Sequence, residues 1–139
     1  MKTQATTVAY NGRAFMITGD SGVGKSALAL ALIERGAVLI ADDITEIANG
    51  IAYAPTRYKG WLEVRGIGLV SGFPVCDQAP IVAEIRITED KPERLPQSQP
   101  TNVPVFYLWA HDKNQTDKVV LIDKLLEEKL TLEWEKEKK

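Results

Sequence analysis

At 139 residues, with 45% hydrophobic and 26% charged side chains, the chain has the make-up of one globular domain spanning residues 1–139, with no room for a regulatory domain beside it. Seventeen Lys and Arg against nineteen Asp and Glu give a formal net charge of -2, without the basic excess of a nucleic-acid binder. The single cysteine, Cys76, excludes an internal disulfide and reads as a buried thiol in a reducing cytoplasm, and neither a signal peptide nor an apolar run of the roughly 18 residues that cross a bilayer is present.

Thr6 to Tyr10 and Ala14 to Thr18 are predicted strands joined at Asn11-Gly12, a dipeptide suited to a tight hairpin turn. The second strand runs directly into Gly19-Asp20-Ser21-Gly22-Val23-Gly24-Lys25-Ser26, a G-x-x-x-x-G-K-S phosphate loop. Its glycines let successive backbone N–H groups converge on one concavity, and the following helix adds the positive end of its dipole. All eight loop residues are therefore expected to hold the phosphates of a nucleotide or pyrophosphate. Lys25 reaches the β- and γ-phosphates as a point charge, and the Ser26 hydroxyl takes one position on Mg²⁺.

Lys25 to Arg35 is apolar nearly all round and stops at Gly36, which predicts a helix buried against a sheet. Val38 to Ala41 follows as a strand buried on both faces, and a right-handed crossover would bring its exit, Asp42-Asp43, beside the phosphate loop. Adjacent residues on extended chain point to opposite sides, so one aspartate can face an acceptor and the other a metal. A plainer reading makes Asp42 a Walker-B-like carboxylate and Asp43 a loop cap.

Asn49-Gly50 marks a second turn before Ile51 to Ala54, which Pro55 ends; Trp61 to Val70 reads as a strand and a Gly-rich turn. Glu63 and Arg65 are two apart, hence on one strand face, where Glu63 could ligate a metal and Arg65 clamp transferring charge; a surface ion pair has the same spacing. Ile81 to Ile87 is another strand. Four prolines between Glu89 and Pro104 indicate an exposed connection, and Val105 to Trp109 is a last strand. From about Thr116 the residues Val119, Ile122, Leu126, Leu130 and Trp134 form one apolar stripe of a helix that packs within the chain or between subunits, and Glu135 to Lys139 form a solvated end. His111 is expected in an exposed loop, and no residue is assigned to a nucleotide base.

The phosphate loop, then Arg35-Gly36-Ala37-Val38-Leu39-Ile40-Ala41-Asp42-Asp43, then Leu62-Glu63-Val64-Arg65-Gly66-Ile67-Gly68, in that order and spacing, resemble HPr kinase/phosphorylase over roughly residues 4 to 108. The chain looks like a short form without that family's N-terminal domain. The resemblance implies an α/β phosphate-loop fold of the kind shared with phosphoenolpyruvate carboxykinases, a mixed sheet with a buried loop helix and a C-terminal amphipathic helix. It also implies a bacterial, cytoplasmic serine kinase/phosphorylase that uses ATP or pyrophosphate with Mg²⁺, acts on the phosphocarrier HPr or a paralogue, regulates the sugar phosphotransferase system, and assembles as a homo-oligomer. By this resemblance Lys25 binds phosphates, Ser26, Asp43 and Glu63 serve Mg²⁺, Asp42 is base in one direction and acid in the other, and Arg65 steadies phosphate.

Three departures stand out. Gln4 holds the position of a family histidine, Ala27 replaces a frequent acidic residue after the loop serine, and no Gly-Arg element follows Leu108, where Trp109-Ala110-His111-Asp112-Lys113 stand. Lys113 and Lys118 are the candidate basic substitutes. Two other functions fit the same motifs: a catalytically weak nucleotide-binding sensor, and a small-molecule kinase on this scaffold.

Overall fold

The computed structural model describes residues 1–90 and 103–127. Strands β1 (Lys2–Gln4), β2 (Thr6–Tyr10) and β3 (Arg13–Thr18) lead through the phosphate loop into helix α1 (Lys25–Glu34). Then come β4 (Val38–Ala41), β5 (Ile44–Ala48), β6 (Ile51–Tyr53), β7 (Leu62–Val64), β8 (Gly68–Val70), β9 (Gln78–Thr88), β10 (Val105–Trp109) and helix α2 (Gln115–Leu125). Both Asn-Gly pairs form the expected hairpin turns: Asn11 and Gly12 have φ of 53° and 79°, Asn49 and Gly50 of 53° and 75°. Positive φ at both central residues matches the twist of the flanking strands.

Among the described residues, eight strands form one mixed sheet in the order β1-β5-β6-β9-β3-β2-β4, with β10 on β9. Strand β2 lies antiparallel between β3 and β4, while β3, β9 and β10 run parallel. The carboxyl ends of β3, β4, β9 and β10 therefore all emerge on one edge of the sheet, where open α/β sheets bind ligands. Strand β1 continues through Ala5 into β2 yet pairs with β5, so the sheet folds back on itself. The space inside this fold is filled mainly by small residues, Ala9, Ala14, Ala41, Ala52 and Ala79, with Ile40. The other face carries the larger core, where Val8, Phe15, Ile17, Leu39, Ile85 and Ile87 meet Leu28 and Leu32 of α1 and Val119 of α2.

Helix α1 touches β2, β3, β4, β7 and α2, which accounts for its nearly all-apolar sequence: a helix enclosed on several sides has no wide polar face. Strands β1 and β5 carry no alternating apolar pattern and were not expected. The Trp61 to Val70 segment, expected as a strand and turn, is a hairpin in which Arg65-Gly66-Ile67 is the turn, closed by the Ile67 N–H to Val64 O at 3.0 Å. Cys76 is half-buried, with its thiol on the Gln78 carbonyl at 3.1 Å, because it lies at the border of the small-residue core. His111 is exposed, as expected. Pro92, Pro96, Pro100, Leu130, Trp134 and the final charged residues lie outside the described residues. No helix among the described residues is long and apolar enough to cross a membrane.

The stripe of α2 contains one polar residue that periodicity did not single out. Asp123 is buried and accepts hydrogen bonds from Arg13 Nε at 3.0 Å, Arg13 Nη2 at 2.7 Å and Asn11 Nδ2 at 3.1 Å. Partial burial alone would lower the proton affinity of Arg13, but the bonds and charge of Asp123, with Glu127 adding its own, raise it above the ordinary arginine value. This clamp fixes α2 to the β2–β3 turn.

Candidate functional site

The phosphate loop follows β3 because a strand emptying at the sheet edge must turn sharply to place a helix on its face. Gly19 has φ of 139°, and a Cβ there would lie 2.5 Å from the Ile87 carbonyl oxygen; only glycine lets the loop sit this close to the end of β9. Val23 is buried and anchors the loop into the core. Gly24, with φ of 108°, precedes α1, so the first free N–H groups of the helix face the loop's interior. Lys25 Nζ donates to the Gly19 and Asp20 carbonyls at 2.8 and 3.0 Å, which arches the lysine over the loop.

Three segments far apart in sequence line one cavity of about 460 Å³: the loop with Ser21, Lys25 and Ser26, the β4 exit with Asp42 and Asp43, and the β7–β8 hairpin with Glu63 and Arg65. Glu63 and Arg65 reach it by a different route from the one expected. Glu63 lies on β7 and Arg65 in the following turn, so they are not on one strand face; the turn itself folds over the loop, with Arg65 Nη2 donating to the Gly22 carbonyl at 3.0 Å.

The two aspartates sit in different surroundings. Asp42 is the hub: its Oδ1 accepts from Ser26 Oγ at 2.7 Å and Thr6 Oγ1 at 2.8 Å, and its Oδ2 accepts from the Glu63 N–H at 2.9 Å. It ties the loop serine, β2 and the hairpin together. Asp43 is exposed, lines the cavity, and its carboxylate has no hydrogen-bond partner among the described residues. Its φ is 70°, and the Ile44 N–H bonds back to the Asp42 carbonyl at 2.8 Å, so Asp43 is the tip of a three-residue γ-turn. Such strain persists only where neighbours over-determine it. Here they are the Ala5 N–H on the Asp43 carbonyl at 2.9 Å and the Asp43 N–H on Thr6 Oγ1 at 3.3 Å.

Thr6 is the site residue that sequence reasoning missed. A buried threonine on a strand needs a partner for its hydroxyl, but only the strand pairing reveals that the partner is Asp42. Gln4 is exposed at the end of β1, opposite Ile44, and does not line the cavity. Neither Lys113 nor Lys118 does so either; Lys118 pairs with Asp112. Among the described residues no group of three or more His, Cys, Asp or Glu could hold a metal ion. Two carboxylates lining the cavity, Asp42 and Glu63, with the Ser26 hydroxyl are oxygen donors of the kind Mg²⁺ takes when it keeps several waters and completes its shell on substrate phosphates.

A second, wider cavity of about 730 Å³ shares Asp42, Asp43 and Glu63 with the first and continues past Ile44, Tyr58, Trp61 and Leu69. These four large apolar side chains are between 38% and 69% exposed, an open apolar approach that ends at Asp43.

The family profile of the HPr Serine kinase C-terminal domain matches residues 2–77, which include the loop, both aspartates and the β7–β8 hairpin. The chain belongs to this family. The HPr kinase/phosphorylase of Bordetella petrii is 39% identical over 100 residues, covering 61% of this chain and 32% of that protein. That of Levilactobacillus brevis is 48% identical over 64 residues, covering 42% of this chain and 21% of the relative. The chain thus spans about a third or less of the curated relatives it matches. The solved structure of the Hpr(Ser) kinase/phosphatase from Coxiella burnetii superposes with a TM-score of 0.72 at 25% identity, covering 99% of this chain and 94% of that one. The α/β architecture with its mixed sheet matches that of this structure.

Proposed function

We propose that this chain is a phosphoryl-transfer domain that moves phosphate from ATP, or from pyrophosphate, to a serine of an HPr-like phosphocarrier in the bacterial cytoplasm, and runs the reverse reaction with inorganic phosphate. The observation that carries the reading is the convergence of loop, aspartate pair and Glu63–Arg65 hairpin on one cavity. Such a set supplies what phosphoryl transfer asks for: a cradle, positioned charge and a base for the attacking oxygen.

In this reading the loop N–H groups and Lys25 hold the donor phosphates, and Arg65 swings from the Gly22 carbonyl onto the transferring group. Ser26, Asp42 and Glu63 would hold Mg²⁺, which would neutralise the charge that builds on the phosphate oxygens. Asp43, exposed between the two cavities, takes the proton of the serine hydroxyl as its oxygen bonds to phosphorus and the bond to the ADP oxygen breaks. In reverse, phosphate attacks the phosphoserine phosphorus, Asp43 returns the proton to the departing serine oxygen, and pyrophosphate leaves. The family resemblance assigned base chemistry to Asp42 and metal binding to Asp43; the hydrogen bonds of Asp42 support the exchange of these two roles.

The acceptor approaches along the Tyr58–Trp61–Leu69 groove, which has room for a polypeptide where a small-molecule kinase needs only a closed pocket. Exposed Ile67, Val75, Leu121 and Leu125 offer apolar surface for self-association, to be checked by light scattering. The deciding experiment is intact-mass analysis of HPr-like carriers incubated with this protein, ATP and Mg²⁺, with Lys25→Ala as the blank. A Lys25-dependent adduct on a serine is expected; ATP binding with no adduct on any carrier would return the protein to the sensor or small-molecule readings.

A further inference from the structure

A third cavity, of about 420 Å³, lies on the opposite flank of the phosphate loop from Asp43, against Gly19 and Asp20 and the end of β9 from Arg86 to Asp90. We infer that it receives the ribose and base of a nucleoside triphosphate whose phosphates occupy the loop, with Arg86 as its principal contact. The inference rests on the loop binding a nucleotide, as proposed above, and adds where the nucleoside end goes.

Topology is the first support. Strands β3, β9 and β10 are parallel and end on this flank, and crevices at the carboxyl ends of parallel strands are where such sheets take nucleotides. A triphosphate is linear. With its transferring end directed to Asp43, Glu63 and Arg65, its other end must leave the loop away from them, and the third cavity adjoins the loop's opposite, N-terminal end. Its floor is fixed because Gly19 packs directly onto the Ile87 carbonyl.

Electrostatics separates the two flanks further. Among the described residues, the third cavity carries the carboxylates of Asp20, Glu89 and Asp90 against one guanidinium, and that guanidinium is paired with buried Glu84. Such a site repels phosphate and offers acceptors to the neutral hydroxyl and amino donors of a nucleoside. Arg86 is held firmly in place, since its Nε and Nη2 donate to Glu84 Oε2 at 3.0 and 2.5 Å and it sits over the Tyr107 ring at 5.9 Å. Glu84 also accepts from Thr18 Oγ1 at 2.8 Å, immediately before the loop, so it positions Arg86 and the loop entrance together. The guanidinium face turned away from Tyr107 is left to cover a base, and Nη1, without a hydrogen bond among the described residues, is left to donate.

The test is isothermal titration calorimetry of the protein with ATP, GTP and inorganic tripolyphosphate, each with Mg²⁺, for wild type, Arg86→Gln and Arg86→Lys. Tripolyphosphate keeps the phosphates and lacks the nucleoside. The expected result is that Arg86→Gln weakens ATP and GTP about tenfold each while tripolyphosphate changes less than about twofold. Thermal melts check folding, and Arg86→Lys keeps a cation beside Glu84 while removing the planar fork; it should lose the same nucleoside-dependent affinity. Equal weakening of ATP and tripolyphosphate, no weakening of either, or equal wild-type affinity for the two would overturn the subsite while leaving phosphate binding intact. If wild type binds neither, the nucleotide reading itself falls and the subsite with it.

Discussion

The proposed exchange of roles between Asp42 and Asp43 makes opposite predictions for two conservative substitutions. Asp42 accepts three hydrogen bonds on its two oxygens, from Ser26, Thr6 and the Glu63 backbone. In Asp42→Asn one of those oxygens becomes an NH₂ donor. Whichever way the amide turns, it faces either the fixed Glu63 N–H or the two hydroxyls, so at least one charge-assisted bond is lost, at about 1.5–3 kcal/mol. Expressed in binding, that is roughly 10- to 100-fold in the Kd of Mg-ATP. Asp43→Asn loses no side-chain hydrogen bond among the described residues, and asparagine tolerates the positive φ of this position. ATP affinity should stay within about twofold, while transfer to the carrier falls about 10²- to 10⁴-fold, the usual worth of a general base. Calorimetry for binding and time-resolved intact mass for transfer give the two numbers. Tight ATP binding with abolished transfer in Asp42→Asn, together with near-normal transfer in Asp43→Asn, would refute the exchange.

The scaffold yields further tests. Gly19→Ala should cost about 1–3 kcal/mol in urea denaturation and abolish ATP binding, because its Cβ meets the Ile87 carbonyl at 2.5 Å and Val23 at 2.9 Å; a normal loop in that variant would contradict the close approach. Asp123→Ala leaves Arg13 and Asn11 without their shared acceptor and should cost about 2–3 kcal/mol, below the full buried-pair range because Arg13 is partly solvated; a loss under about 0.5 kcal/mol would show that α2 docks by its apolar contacts alone. Asp112 sits just before α2, its carboxyl held below the ordinary aspartate value mainly by the hydrogen bond from Lys118, then by the Asn114 N–H. A depressed carboxylate stabilises above its unfolded pKa and loses that contribution as pH falls through the folded value. The melting advantage of wild type over Asp112→Asn should therefore be constant at neutral pH, begin to shrink as pH falls to about 4, and vanish once it has passed below the depressed folded value; an advantage that does not shrink in acid would exclude the ionised carboxylate as its source.

Much of this architecture was legible because local chemistry dictates it. The phosphate loop announces strand, turn and helix at once, the two Asn-Gly pairs specify hairpins, and β4, β10 and α2 follow from short apolar runs and a helical stripe. What was hidden depends on pairing between distant segments. Strands β1 and β5 are polar or mixed, and they exist because each completes the other's ladder where the sheet folds back. Glu63 and Arg65 were expected together for a reason that does not hold, since a turn, not a shared strand face, brings Arg65 over the loop. The different surroundings of Asp42 and Asp43 could not be read from adjacency alone; Thr6 helps to set them, its hydroxyl contacting both residues from a different strand.

Asp43 also separates a catalyst from a sensor on energetic grounds. A sensor needs the loop, Lys25 and the Ser26–Asp42 contact, none of which requires a non-glycine residue in left-handed backbone at the border of an apolar groove. Left-handed φ costs a residue with a Cβ roughly 1–2 kcal/mol, and glycine's extra unfolded-state freedom returns about 0.5–1 of it. Asp43→Gly should therefore stabilise the fold by about 0.5–1 kcal/mol while removing the base. A sensor would gain from that change without loss, so a stabler protein that binds ATP normally yet transfers no phosphate would mark Asp43 as strain retained for chemistry. Transfer at the wild-type rate in Asp43→Gly would instead show that the proton leaves by another route.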